Sequence, residues 1–111
     1  MAKDDYFVIV YRLLKYLYEC LKNGQPVRSE VLRADYFGID DTYWDYILRN
    51  LFLDGYVEGA VLVRALMRDD DGVKILPNFN ITRKGKAYLN ENPIFQKVRD
   101  AVKEISPFIP F

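Results

Sequence analysis

Residues 56–81 read YVEGAVLVRALMRDDDGVKILPNFNI, and the fold class turns on them. Val61, Val63, Ala65 and Met67 alternate with their neighbours in one run, and Val73, Ile75, Phe79 and Ile81 mark a second. Alternation is the period of a strand with one buried face. Asp69, Asp70, Asp71 and Gly72 separate the two runs, and an Asp-Gly pair suits the left-handed backbone of a tight hairpin turn. Pro77 has no N–H to give to a ladder, so it belongs at an edge or a bulge of the second strand. The stretch predicts a β-hairpin over 56–81.

Outward from the hairpin the apolar period changes to three and four. Upstream, Phe7, Val10, Tyr11, Leu14, Leu17, Tyr18 and Leu21 form the stripe of an amphipathic helix over 5–23, with Arg12, Lys15, Glu19 and Lys22 on its wetter side. Asn23 and Gly24 end it, and Pro26 prevents its continuation. Ser29 is placed to cap a short helix over 29–37 containing Val31, Leu32 and Tyr36, closed by Gly38. Asp40 and Asp41 suit the start of a helix over 41–54, where carboxylates both cap and favour the dipole. Trp44, Ile47, Leu48, Leu51 and Phe52 make its buried stripe, and Gly55 stops it.

Downstream, Thr82 is the expected cap of a helix over 83–91. Pro93 opens a last helix over 93–105, in which Ile94, Val98, Ala101, Val102 and Ile105 share a face, followed by an apolar tail over 106–111. No repeat, low-complexity tract or linker divides the chain, so residues 1–111 read as one domain. The class is mainly α with a small β-hairpin (α+β), a winged helix-turn-helix with an additional C-terminal helix.

Composition narrows the function. Half of the 111 residues are hydrophobic, enough for a packed core. Sixteen basic residues balance sixteen acidic ones, which weakens the case for strong nucleic-acid binding, because phosphate neutralisation supplies much of that affinity. The single cysteine, Cys20, allows no intrachain disulfide. The N-terminus carries acids rather than an apolar signal segment, and no run reaches the roughly 20 apolar residues of a membrane span. A cytoplasmic protein with no membrane partner is the expectation.

Catalysis is not expected. The chain has no histidine, the commonest general base and metal ligand. Cys20 lies near the stripe of the first helix with no partner in sequence, as a structural thiol would. Asp69, Asp70 and Asp71 are contiguous, whereas calcium loops space their ligands at alternate positions and add a distant glutamate. Gly55 and Gly59 match no phosphate-binding loop. No metal, no cofactor and no small-molecule ligand are therefore implied.

Two stretches are similar to winged-helix proteins in general: Leu48-Arg49-Asn50-Leu51-Phe52-Leu53-Asp54-Gly55-Tyr56-Val57, and Phe79-Asn80-Ile81-Thr82-Arg83-Lys84-Gly85-Lys86-Ala87-Tyr88-Leu89. More narrowly, the chain resembles the YjcQ-like family of small bacterial and prophage proteins. The resemblance rests on the Lys3-Asp4 opening, the Asp54-Gly55-Tyr56-Val57 exit, the Ile81-Thr82 stretch through Asn92 and the C-terminal Val102-Lys103-Glu104-Ile105. It implies a winged-helix fold, often phage-derived, with no established activity and no site residues to carry over.

Such a fold invites duplex DNA as partner. With the apolar stripe of 41–54 turned inward, Tyr46, Arg49 and Asn50 face outward, where Arg49 suits guanine and Asn50 adenine. Arg83, Lys84 and Lys86 crowd the first turn of the next helix as a phosphate clamp, which Arg64, Arg68 and Lys74 of the wing would extend. Asp40, Asp41, Asp45 and Asp54 oppose this reading. The alternative is a winged helix serving protein–protein interaction, its contact surfaces being the acidic helix and the apolar tail with Phe108, Ile109 and Phe111. The last helix and that tail are also the elements expected to pair a homodimer.

Overall fold

The computed structural model describes residues 5–64 and 71–105. Among them are α1 (Asp5–Asn23), a 3-10 turn (Ser29–Val31), α2 (Asp41–Leu53), the antiparallel strands β1 (Val57–Arg64) and β2 (Asp71–Ile81), α3 (Arg83–Glu91) and α4 (Pro93–Ile105). The order of helix, turn, helix, hairpin and two further helices is a winged-helix arrangement of α+β class. No described helix is long and apolar enough to cross a membrane.

The helix α1 is the post on which the rest is hung: α3, α4 and β2 pack against it, and α2 leans on both strands. Its buried side is wider than the expected stripe. Ile9, Leu13, Tyr16 and Cys20 are buried along with Val10, Tyr11, Leu14 and Leu17, whereas Leu21 lies 48% exposed beyond the packed layer. From α2 come Trp44, Ile47, Leu48 and Leu51, all buried. Each fully buried aliphatic side chain contributes about 1.5–3 kcal/mol of transfer free energy.

The segment expected as a helix over 29–37 is not α-helical. Two tight turns replace it. Val31 N–H donates to Arg28 and Leu32 N–H to Ser29 in the first, and Tyr36 N–H to Arg33 and Phe37 N–H to Ala34 in the second. Leu32, at φ −90° and ψ 56°, breaks the path between them. The apolar positions explain the geometry. Val31, Ala34 and Phe37 recur every third residue, the period of a 3-10 turn. Val31 and Ala34 are buried, and the Phe37 ring stacks on Trp44 at 5.2 Å. Ser29 caps nothing; Arg28 precedes the turn, and its N–H is held by the Tyr16 hydroxyl at 2.9 Å.

The hairpin also departs in detail. Glu58 pairs with Asn80 and Ala60 with Ile75, so residues 76–79, with Pro77 among them, bulge opposite Gly59. A register shift of an odd number of residues exchanges the faces of a strand. Ala60 and Leu62 therefore join Val73 and Ile75 on the inner face, while Val61, expected inward, is 43% exposed. The turn residues Asp69 and Asp70 lie outside the described residues.

One junction joins α2, both strands and α3. The end of α2 closes as a Schellman motif: Gly55, at φ +83°, donates to Phe52, and Tyr56 N–H donates to Leu51. The Thr82 hydroxyl donates to the Gly55 carbonyl at 2.6 Å and accepts from Gly85 N–H at 3.0 Å, capping α3 while holding the end of α2. Gly85 has no side chain for a steric reason: a Cβ there would run into the Tyr56 carbonyl oxygen. Beyond the junction the Tyr56 and Tyr88 rings stack in parallel at 4.0 Å, and Tyr88 meets Phe95 edge-on at 5.0 Å. Phe95, absent from the expected α4 face, is fully buried and also meets Phe7 and Tyr11.

Gly85→Ala gains about 1 kcal/mol of helix propensity, yet the clash with Tyr56 dominates. A net loss of at least about 2 kcal/mol is expected in urea unfolding, against about 1 kcal/mol for Thr82→Ser→Ala truncation of the cap. An unchanged Gly85→Ala midpoint would show that the backbones do not approach as described. In the aromatic column, burial first and the neighbouring Tyr56 hydroxyl second push the Tyr88 pKa up to about 12 from 10.0. The folded state then holds this proton more tightly than the unfolded one. The stability Tyr88 contributes is whole below pH 10 and falls as pH rises towards 12. Tyr88→Phe should flatten that fall and remove the latest-titrating tyrosinate from the ultraviolet absorbance.

Candidate functional site

The outer face of α2 is the first surface to consider. Asp40 starts the helix, its carboxylate accepting from Thr42 N–H at 2.9 Å. Opposite the buried stripe, Tyr46 is 46% exposed and Leu53 62% exposed. The Tyr43 and Tyr46 rings stack at 6.2 Å, Tyr6 of α1 approaches Tyr46 edge-on at 6.3 Å, and the Arg49 guanidinium lies 5.9 Å from the Tyr46 centroid. Tyr46 and Arg49 are thus brought together in a patch of tyrosine, arginine and leucine.

Asn50 adjoins them on the side of α1. It is half-buried, and its amide donates to the Tyr6 hydroxyl at 3.5 Å, bridging α2 to α1. Burial raises the Tyr6 pKa and this hydrogen bond opposes the rise. Tyr46 and Asn50 are one turn apart and Tyr6 reaches both, so Asn50 lies at the α1 edge of the same face. The residue expected to read a base outward is here engaged in a contact between α2 and α1.

The turn segment that flanks α2 is electrically self-contained. Arg28 reaches Glu30 at 2.9 Å and Arg33 reaches Asp35 at 3.2 Å, both exposed pairs. The hydrogen bond from Arg28 holds the Glu30 carboxyl below its ordinary pKa. A groove of about 490 Å³ runs between this segment, the start of α2 and β2. Leu32, Trp44, Leu48 and Ile75 line it, and Asp35, Asp41 and Asp45 stand around it.

The three cations expected as one clamp on α3 are divided. Residues 84 and 86 lie about 200° apart on a helix. Lys84 turns to Tyr56, its ammonium 5.4 Å from the ring centroid and its stem beside Gly55. Lys86 turns the other way, 5.9 Å from the Tyr18 ring on α1. Arg83 is exposed at the start of the helix. Of the wing residues, Arg64 is placed by its backbone at the end of β1, opposite Asp71, and Lys74 is exposed on β2. Arg68, Phe108, Ile109 and Phe111 lie outside the described residues.

A second basic surface went unread in the sequence. Between α1, α3 and α4 lies a cavity of about 260 Å³ with Tyr11, Tyr18 and Leu89 in its walls and Lys15, Lys22, Asn90 and Arg99 around it. Lys15 and Lys22 are seven apart on α1, two helical turns, and that spacing beside Tyr18 is a readable signal. Arg99 joins them only through the docking of α4, which no local pattern encodes. Cys20, for its part, is buried, with its thiol 3.9 Å from the Pro26 carbonyl beside a cavity of about 460 Å³.

The model of one protein family, described as YjcQ protein, matches residues 11–107. No curated protein and no solved structure matches the chain. The matched span runs from α1 through α4 and includes the Gly55, Thr82 and Gly85 junction. The chain belongs to the YjcQ family.

Proposed function

We propose that this chain is a non-enzymatic winged-helix recognition module that binds a protein partner through the outer face of α2. The observation that carries the reading is the patch of Tyr43, Tyr46, Arg49 and Leu53 beside an acidic helix start. Tyrosine and arginine are enriched where protein interfaces concentrate their binding energy. Asp40 and Asp41, by contrast, repel a phosphate backbone from the end of the helix that usually enters a DNA groove. The cations of the turn segment before that helix, Arg28 and Arg33, already hold carboxylates. The absence of histidine and the burial of Cys20 support binding rather than catalysis, and a single cysteine suits a reducing cytoplasm.

A second reading, duplex-DNA binding, is favoured by one observation: Arg49 sits with Tyr46 on the helix that winged-helix proteins lay in the major groove. Phosphate contacts would then fall to Arg64, Arg68, Lys74, Arg83 and Lys84.

A photo-crosslinking amino acid placed at Tyr46 in cells separates the two, with the same group at exposed Lys97 on α4 as control. The expected result is a discrete, nuclease-resistant protein adduct from position 46, absent from position 97 and suppressed by Leu53→Asp. A nuclease-sensitive adduct, or none from position 46, overturns the protein reading. Fluorescence anisotropy with random duplex DNA gives the matching check. The protein reading expects no binding at about 50 mM salt, whereas DNA binding predicts affinity there that falls by orders of magnitude by about 200 mM.

A further inference from the structure

The cavity between α1, α3 and α4 gathers positive charge from three separate helices. Lys15 and Lys22 of α1 and Arg99 of α4 line it, and Lys86 of α3 stands beside it on the Tyr18 ring. The Tyr18 ring is the centre of the group, with the Lys22 ammonium 5.0 Å and the Lys86 ammonium 5.9 Å from its centroid. Glu19 offsets part of this charge, reaching Lys15 at 3.2 Å and Lys22 at 3.7 Å. Its pKa is lowered chiefly by the hydrogen bond from Lys15. Glu19 is not among the residues lining the cavity. Among the described residues, no carboxylate lies within 4.0 Å of Lys86 or Arg99.

This arrangement differs from the solvated surface of a charged helix. The exposed arginines of the turn segment each find a carboxylate two residues away. Around the cavity Lys15 and Lys22 are joined by Arg99 from a distant part of the sequence. Like charges repel, and the repulsion is relieved by an anion that several of them share. The walls suit one: Tyr11 and Leu89 are buried and exclude water from the base, and Asn90 adds a neutral amide at the rim.

We propose that this cavity binds the phosphoryl group of a small phosphorylated ligand, with Lys15, Lys22 and Arg99 of its lining as charged partners and Tyr18 as the wall that positions Lys22. The site lies on the flank of α1 away from the turn segment, which Tyr16 meets instead, and is independent of the α2 surface. The cavity of about 260 Å³ is small and walled by three helices, which fits a compact anion better than the broad backbone of a duplex.

The test is titration of the full chain with inorganic pyrophosphate at low ionic strength, followed by amide and side-chain NMR shifts. Saturable shifts confined to the surroundings of Tyr18, Leu89 and Asn90 are expected. Lys22→Gln with Arg99→Gln, which removes two lining charges and keeps polar side chains, should weaken binding by about tenfold or more, and Lys97→Gln should leave it unchanged. Absence of saturable shifts, or equal binding by the double variant, overturns the proposal. So does the outcome in which pyrophosphate fails while a short DNA duplex moves the same resonances, since the cavity would then be reading a nucleic-acid backbone.

Discussion

The hydroxyl of Thr82 holds the architecture together. A helix leaves its last carbonyls and its first N–H groups without partners. Here one oxygen caps the start of α3 by accepting from Gly85 and ties it to the turn that follows α2 by donating to the Gly55 carbonyl. The Thr82 N–H adds a bond to the Tyr56 carbonyl at 3.0 Å. These contacts draw together the exit from α2, the entry to β1, the exit from β2 and the entry to α3. Only a residue without a side chain at position 85 lets the backbones come so close. Once α3 is aimed by this junction, Tyr88 falls against Tyr56. Asn92 and Pro93 then start α4, with Ile94 N–H donating to the Asn92 side chain at 3.0 Å, and Phe95 is delivered into the core.

That dependence explains what the sequence could and could not convey. Features decided by a residue and its near neighbours were legible: the Thr82 cap, the Gly55 stop, the Pro77 bulge and the change of period between helix and hairpin. Features decided by packing were not. The 29–37 segment contains good helix formers, but burying Val31, Ala34 and Phe37 together favours the tighter turn. Val61 was misassigned because the pairing register shifts by an odd number of residues across Gly59, and an alternating pattern reads equally well in either phase. The divided lysines of α3 have a helical cause. Neighbours in sequence are about 100° apart on a helix, so a cluster in the text is seldom a cluster in space.

Charge shows the same separation of local from tertiary information. Equal numbers of acids and bases gave a neutral chain and argued against a partner rich in phosphate. Neutrality of the whole conceals an uneven surface. Asp35, Asp41 and Asp45 gather around the groove at the start of α2, and Lys15, Lys22 and Arg99 gather around the cavity beside α4. Solvent-exposed charges are screened within about 8–10 Å at physiological salt. A ligand approaching either surface therefore meets the local sign rather than the zero sum.

The tyrosines decide what kind of partner suits the α2 face. A surface that binds phosphate by mass of charge uses flexible lysines and arginines, whose long side chains lose rotamer freedom on ordering. Tyrosine offers a large rigid contact with only two side-chain torsions to fix, which suits protein surfaces. On α2, Tyr43 and Tyr46 are already stacked on each other, Tyr6 abuts them from α1, and Arg49 lies against the Tyr46 ring. Much of the ordering cost of binding is therefore met in folding rather than at the encounter. The same contacts restrict Arg49, which would have to leave its ring to reach a base edge. A face preorganised in this way gains most from a partner that accepts it as it stands, an apolar protein surface with cations to meet Asp41, and least from a DNA groove that asks the arginine to extend.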